Sequence, residues 1–352
     1  MKVLFVLDHA PDYRESFLQV LGEHVDLTVV AQPCEPDGLM PPTGRNGYEY
    51  IEIKGKKFSG LVWQQGLNRI LHSQPWDVMC FALNLRQVSR VALFLMDKRY
   101  RDRWVWWGHI FGQNSSRLLD SLRRLLLSSG VGCLTYSEEI AEEVRARYGA
   151  NATSFNNTQV REDDFRVGQF CEHSEIRLLF VGRFQARKRL ERLVDLAVRR
   201  SDVFIRLVGP GMDELRVPDN LFNSERMEIF PRTVGKDLNP HFDWADLVAN
   251  PGHVGLMVMN TAQHGKGIVI DSDSLHAPEY WLAKEAEQPF IPFGDHSVVD
   301  RFVDEIKQHR KQLQDFGDRL QAIARQKYTI EAMVSTHFSK FEEIVNIKAN
   351  DM

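Results

Sequence analysis

The residues best placed to do chemistry fall in a few short stretches. Gly182-Arg183-Phe184-Gln185-Ala186-Arg187-Lys188 follows a strand-like run and opens a helix. An arginine and a lysine five residues apart on such a turn suit a pyrophosphate: Arg183 grips two oxygens at once and Lys188 adds a point charge. A second turn, Gly209-Pro210-Gly211, follows the next strand. In the stretch Asn250–Trp281, Pro251-Gly252-His253-Val254-Gly255 lets backbone N–H groups gather at a helix start, and Pro278-Glu279 opens another helix with a carboxylate. A helix start and the carboxyl end of a strand sharing one crevice hold phosphorylated ligands in many α/β proteins. An ordinary αβα unit without a ligand has the same grammar.

The elements that must carry these groups read as two runs of alternating strand and helix. In the first, Lys2–Leu7 is a strand, His9–Arg14 a loop at its carboxyl end, Arg14–Leu21 a helix and Val25–Ala31 a strand. This βαβ opening predicts a doubly wound domain. Residues 34–60, rich in Pro and Gly, predict an irregular excursion, followed by a helix Leu61–His72. Strand Asp77–Leu83 delivers Asn84 and Arg86 to the same sheet edge, and strand Val105–Trp107 delivers His109. A packed, neutral core residue is the other reading of His109. The tryptophans read as core and crevice wall, with Trp104 and Trp106 on one face of the strand and Trp107 on the other. Periodicity fails between Arg161 and Glu175, which places a linker there, and the second run begins at strand Arg177–Val181. Asp300–Gln321 and Ile330–Ile347 are the closing helices. The domain reading is 1–165, 170–330 and a C-terminal helix over 331–352.

Composition bounds the function. With 352 residues, two α/β domains are the natural division. A net charge of −4 argues against general nucleic-acid binding. Basic residues nevertheless cluster in the first half, as in Lys54, Lys56 and Lys57, or Arg117, Arg123 and Arg124. The four cysteines, Cys34, Cys80, Cys133 and Cys171, have neither metal-ligand spacing nor a pairing pattern and read as reduced thiols. No apolar stretch approaches the roughly 18 residues of a spanning helix, so the expected location is cytoplasmic. The segment 115–128 is amphipathic and basic, with leucines 118, 119, 122, 125 and 126 expected beneath and the arginines above. Such a helix is either a solvated face or a peripheral contact with anionic lipid headgroups.

The co-linear order of GRFQARK, LVGPG, NPGHVGLMVMNTAQHGKGIVI and PEYW resembles the nucleotide-sugar half of the family 4 glycosyltransferases, with looser likeness in PDYR, FALNLR, WWGH, LTYSEEIAEEV and FNNT. The resemblance covers residues 177–300 well. It implies the GT-B fold: two Rossmann-like domains facing a cleft, with a C-terminal helix crossing back to the N-terminal, acceptor-binding domain. It further implies a retaining, metal-independent transfer of a sugar from a nucleoside-diphosphate sugar, a UDP-sugar by default, to a glycan or lipid-linked glycan of polysaccharide biosynthesis, with no cofactor. Carried over residue by residue, Arg183 and Lys188 would bind the donor diphosphate. Gly182, Gly209, His253, Val254 and Gly255 would line it, and Glu279 would meet the ribose. His109 would lie near the transferred sugar, and Tyr13, Arg14, Asn84 and Arg86 on the acceptor side.

The chain departs from the family pattern where two glutamates eight residues apart are usual, since Gly252 and Asn260 stand there. Asn260 can hydrogen-bond a sugar hydroxyl but supplies no carboxylate, and His253 lies on the same loop. An inactive nucleotide-sugar-binding partner subunit is therefore the alternative, and a two-domain solute-binding protein a third reading.

Overall fold

The first strand, β1 (Lys2–His9), is covered on both faces. Val3, Phe5 and Leu7 enter one apolar cluster, whereas Leu4 and Val6 enter another. Period-two alternation with both faces buried is what a central parallel strand requires. The computed structural model describes residues 1–34, 39–111, 116–170, 173–222 and 224–351. They form two compact units, residues 1–159 with the C-terminal helix, and residues 160–329.

In the first unit, β1 is followed by α1 (Asp12–His24), β2 (Asp26–Gln32), β3 (Glu49–Glu52), the hairpin strands β4 (Gly55–Phe58) and β5 (Leu61–Gln64), α2 (Leu67–Leu71) and β6 (Val78–Ala82). Next come α3 (Val88–Met96), β7 (Trp104–Gly108), α4 (Arg117–Ser128), β8 (Cys133–Thr135), α5 (Glu138–Tyr148) and β9 (Ala152–Ser154). The sheet order is β3-β2-β1-β6-β7-β8-β9, with every pairing parallel. Trp104 and Trp106 pack in one cluster and Trp107 in the other, as alternation along β7 dictates. Ser137 caps α5 by accepting from the Ile140 N–H, and Gly149 closes it at φ 65°.

The second unit runs β10 (Ile176–Val181), α6 (Glu191–Arg199), β11 (Val203–Val208), α7 (Asp219–Phe222), β12 (Met227–Phe230), α8 (Asn239–Trp244), β13 (Leu247–Asn250), α9 (Met257–Gln263), β14 (Ile268–Asp271), α10 (Tyr280–Glu285), β15 (Phe290–Ile291), α11 (His296–Gln308) and α12 (Lys311–Lys327). Its parallel sheet has the order β12-β11-β10-β13-β14-β15. Counted within the unit this is 3-2-1-4-5-6, the doubly wound order of dinucleotide-binding folds. The last helix, α13 (Ile330–Asp351), returns to the first unit, where Ile330, Met333, Val334, Phe341 and Ile344 join the cluster beside α1.

Several sequence expectations need correction. Leu61–His72 is a strand followed by a five-residue helix, because Gly66 at φ 80° breaks the run. The described part of the 34–60 excursion contains β3 and β4. The expected helix Asp300–Gln321 is divided at His309 and Arg310, where Arg310 turns to the buried Asp246 at 3.1 Å. The expected linker is anchored: Phe165 and Phe170 pack on the second unit's core, and Arg166 pairs with Asp243 at 3.2 Å. Cys171, like Ser115 at the expected start of the basic helix, lies outside the described residues. Cys34, Cys80 and Cys133 are all buried.

Candidate functional site

A sheet of this order has one place where neighbouring strands send their chains in opposite directions, and ligands bind outside the carboxyl ends there. In the second unit that place lies between β10 and β13. The loops after these strands touch through main chain. The Lys188 ammonium donates to the His253 carbonyl at 2.8 Å, and the His253 N–H donates to the Arg187 carbonyl at 2.9 Å. Gly252 is wedged so closely that a Cβ there would lie 2.5 Å from the Arg187 carbonyl oxygen and 2.7 Å from Lys188 backbone atoms. Arg192 ties in the next loop, donating to the Pro251 carbonyl and pairing with the fully buried Asp271, both at 2.9 Å. Asp271 also accepts from Ser274 Oγ at 2.5 Å and from the Phe293 N–H at 3.0 Å.

Charge in this crevice is mostly positive. Burial first, then the Arg187 and Arg183 guanidinium groups, push the Lys188 pKa down to about 8, against the opposing pull of Glu279. Arg183 and Arg187 are exposed, whereas Glu279 is buried. Burial also lowers His253 to about 4, so its ring is neutral at pH 7, and its Nδ1 lies 2.7 Å from the Leu275 carbonyl. The Val254 N–H, expected to face a diphosphate, donates instead to His276 Nδ1 at 3.2 Å. His276 Nε2 lies 2.9 Å from the Asp271 carbonyl, which fixes the tautomer with the proton on Nε2. Gly255 keeps an open side: a Cβ there would meet Ala277 at 3.6 Å and a Glu279 oxygen at 3.9 Å. Gly209, at φ 150°, lies against the Gly182 carbonyl, where any side chain would collide at 1.9 Å. Asn260 is half-buried on α9.

The first unit turns between β1 and β6, and Asp8 and Asn84 meet there, Asn84 Nδ2 donating to Asp8 Oδ2 at 2.7 Å. Asp8 Oδ1 pairs at 2.7 Å with Arg90, whose fully buried guanidinium also donates to the Leu7 carbonyl, the Ala82 carbonyl and Gln64. A cavity of about 660 Å³ opens beside them, lined by Asp8, Lys54, Lys57, Asn84, Arg86 and Gln87 among others. Tyr13, Arg14 and His109 form a separate group. Arg14 is buried and donates to Tyr136 Oη at 2.7 Å and Asn157 Oδ1 at 2.5 Å, with Tyr13 and Trp107 flanking it. The His109 ring packs 4.1 Å from Tyr136, and the residue is exposed. Crowding by the surrounding protein and the Arg14 charge push its pKa down to about 4.

No family model matches this chain, and no curated protein does. Solved structures do. Sucrose-phosphate synthase from Thermosynechococcus elongatus superposes with a TM-score of 0.73 at 11% identity, covering 99% of this chain and 100% of that one. HepE of Anabaena in complex with UDP gives a TM-score of 0.68 at 13% identity, covering 97% and 100%. A glycosyltransferase from Rickettsia africae gives 0.68 at 11% identity, covering 98% of each. The chain has the GT-B fold.

Within this GT-B chain, the residues singled out from sequence sort by unit. Gly182, Arg183, Lys188, Gly209, Gly252, His253, Val254, Gly255, Asn260 and Glu279 all lie in the second unit, most of them on the loops after β10, β11, β13 and β14. Tyr13, Arg14 and His109 share one set of contacts in the first unit, and Asn84 belongs with Asp8 in another. Sequence reading overlooked Asp8, Arg90, Arg192 and Asp271. Asp8 is the penultimate residue of β1 and Asp271 the last of β14, a signal available in the chain, whereas Arg90 sits inside an apolar helix and gives none. Among the described residues, no group of His, Cys, Asp and Glu could hold a metal ion, and no helix is long and apolar enough to cross a membrane.

Proposed function

We propose that this protein transfers a sugar from a nucleoside-diphosphate sugar, by default a UDP-sugar, to a hydroxyl of a glycan or lipid-linked glycan. The observation that carries this reading is the junction of Arg187 and Lys188 with Gly252 and His253 at the turning point of the second sheet. It gathers Arg183, Arg187 and Lys188 beside a glycine-rich turn. A GT-B neighbour crystallised with UDP-glucose, at 12% identity and a TM-score of 0.64, supports the choice of donor. In this reading the second unit holds the donor, with Arg183, Lys188 and the Gly255 backbone against the diphosphate and Glu279 on the ribose. The first unit holds the acceptor.

Transfer breaks the bond between the anomeric carbon and the phosphate oxygen, and the electron pair leaves on the diphosphate. The acceptor oxygen bonds to the same face of the sugar, which retains configuration, and its proton passes to the departing phosphate. Fixed positive charge on the leaving diphosphate lowers the barrier without a metal. His109, neutral at pH 7 with a pKa of about 4, serves as a hydrogen-bonding partner of the sugar, not as a cationic acid. The close fit at Gly252 favours a second reading, an inactive nucleotide-sugar-binding subunit, since no carboxylate fits at that position.

Calorimetry against UDP, GDP, dTDP, ADP and CMP tests the donor site. One nucleoside diphosphate should bind, and Arg183→Ala and Lys188→Ala should each weaken it at least tenfold. No nucleotide binding would sink both readings. Binding without nucleotide release from any nucleotide sugar offered with glycan and lipid-linked acceptors would favour the inactive subunit.

A further inference from the structure

The hairpin β4–β5 lies apart from both main sheets and has two unlike faces. Cross-strand partners are Lys56 with Trp63, Lys57 with Val62 and Phe58 with Leu61. Period-two alternation therefore puts Lys56, Phe58, Leu61 and Trp63 on one face. The other face carries Lys57 and Val62, which line the 660 Å³ cavity. Main-chain and side-chain bonds moor this inner face: the Val62 N–H donates to the Arg86 carbonyl at 2.7 Å and the Gln64 N–H to Ser89 Oγ at 3.1 Å.

The outer face is apolar and open. Phe58 is 78% exposed, Trp63 51% and Leu61 42%. Leaving two large aromatic residues and a leucine together in water gives a soluble protein nothing, and a contiguous exposed apolar patch marks a docking surface. Its surroundings are basic: Lys54, Lys56, Lys57 and Arg86 are all exposed. The carboxylate in the cavity, Asp8, is neutralised by Arg90, and Glu52 is the acidic residue two positions before Lys54. Aromatic rings that rest at headgroup level, flanked by lysines whose stems lie on apolar surface while their charges reach phosphate, form the standard chemistry of an interfacial anchor.

We propose that the β4–β5 hairpin lies in the headgroup region of an anionic phospholipid bilayer, inserting Phe58, Leu61 and Trp63, with Lys54 and Lys56 on lipid phosphates. Its inner face then walls the cavity from the membrane side, so that an acceptor carried on a lipid meets Asp8, Asn84 and Arg86. This last consequence rests on the glycosyl-transfer reading, whereas membrane docking itself does not. The basic helix α4 is the weaker surface. Its Leu118 and Leu125 are exposed, but Arg123 is buried and Arg124 donates to the Arg147 carbonyl at 2.9 Å.

The test is co-sedimentation of the full chain with phosphatidylcholine vesicles, with and without phosphatidylglycerol. Binding should require the anionic lipid, and Phe58→Ser with Trp63→Ser should weaken it at least tenfold while leaving nucleotide binding unchanged. Brominated lipid should quench part of the tryptophan emission, and Trp63→Phe should remove that part. Because these side chains are exposed, a thermal melt equal to wild type shows that the variants fold. The proposal is overturned if wild type ignores anionic vesicles, or if the double variant binds them like wild type. Loss of binding only in Leu118→Ser with Leu125→Ser would overturn it in favour of α4. A hairpin-dependent dimer in analytical ultracentrifugation that does not bind vesicles would assign the face to a second copy. Vesicle binding without any nucleotide binding would leave the anchor standing and the transfer reading fallen.

Discussion

Lys188 is held near its own titration point, which makes the proposed donor binding sensitive to pH. Its folded pKa of about 8 lies below the ordinary 10.5, so between these values the unfolded chain binds the extra proton. The stability associated with Lys188 is thus present above about 10.5 and lost as pH falls through 8. Nucleotide affinity should move the opposite way. Calorimetry should show UDP binding weakening from pH 7 to 9.5 in wild type and a flatter profile in Lys188→Met, while the unliganded wild type gains stability over the same range. Gly252 gives a second residue-scale prediction. Gly252→Ala drives a Cβ into the Arg187 carbonyl and should cost about 1–3 kcal/mol, read from denaturant melts, with loss of nucleotide affinity because the loops are forced apart. The absence of a glutamate at this position was legible in the sequence. That no side chain fits there was not, because the obstruction is the backbone of residues 65 and 64 positions away in the chain.

Among the elements, α3 carries the least expected residue. Its apolar side was evident from composition, yet Arg90 within it is fully buried and holds the carboxyl ends of β1 and β6 by bonds to Leu7, Ala82 and Asp8. Arg90→Met should remove these bonds and leave Asp8 without its cation, costing about 3–5 kcal/mol in thermal or denaturant unfolding. Strands were easier to place than helices in this chain. Central parallel strands are apolar on both faces, and their runs stand out. Short helices such as α2 and the break between α11 and α12 depend on single turns and on partners distant in sequence, as Arg310 with Asp246 illustrates. In α4 the amphipathic pattern was clear, but the direction of its faces was not. Arg123 turned inward and Leu118 outward, against the expected arrangement.

Across the molecule, the two units differ in how complete they are. The second unit's core is built from residues 160–328. The first unit needs α13, whose Ile330, Met333, Phe341 and Ile344 are at most 1% exposed, and whose His337 accepts from Trp107 Nε1 at 2.9 Å. Deleting residues 330–352 should therefore destabilise the first unit selectively. Hydrogen exchange should show loss of protection in β1 and β7, with β10 and β13 close to wild type. Retained protection in β1 would show that the helix is dispensable to that core.

The sequence by itself determined the alternation of strand and helix, the restart after the first unit, and the glycine-rich and basic turns of the second. These features are local, written in period-two runs and in turn chemistry. Only the tertiary structure decided which loops touch, that Val254 spends its N–H on His276, that Gly252 has no room for a side chain, and that Asp8 is held by Arg90. Each depends on contacts between residues far apart in the chain, where packing and main-chain hydrogen bonding choose among partners that local sequence leaves equivalent.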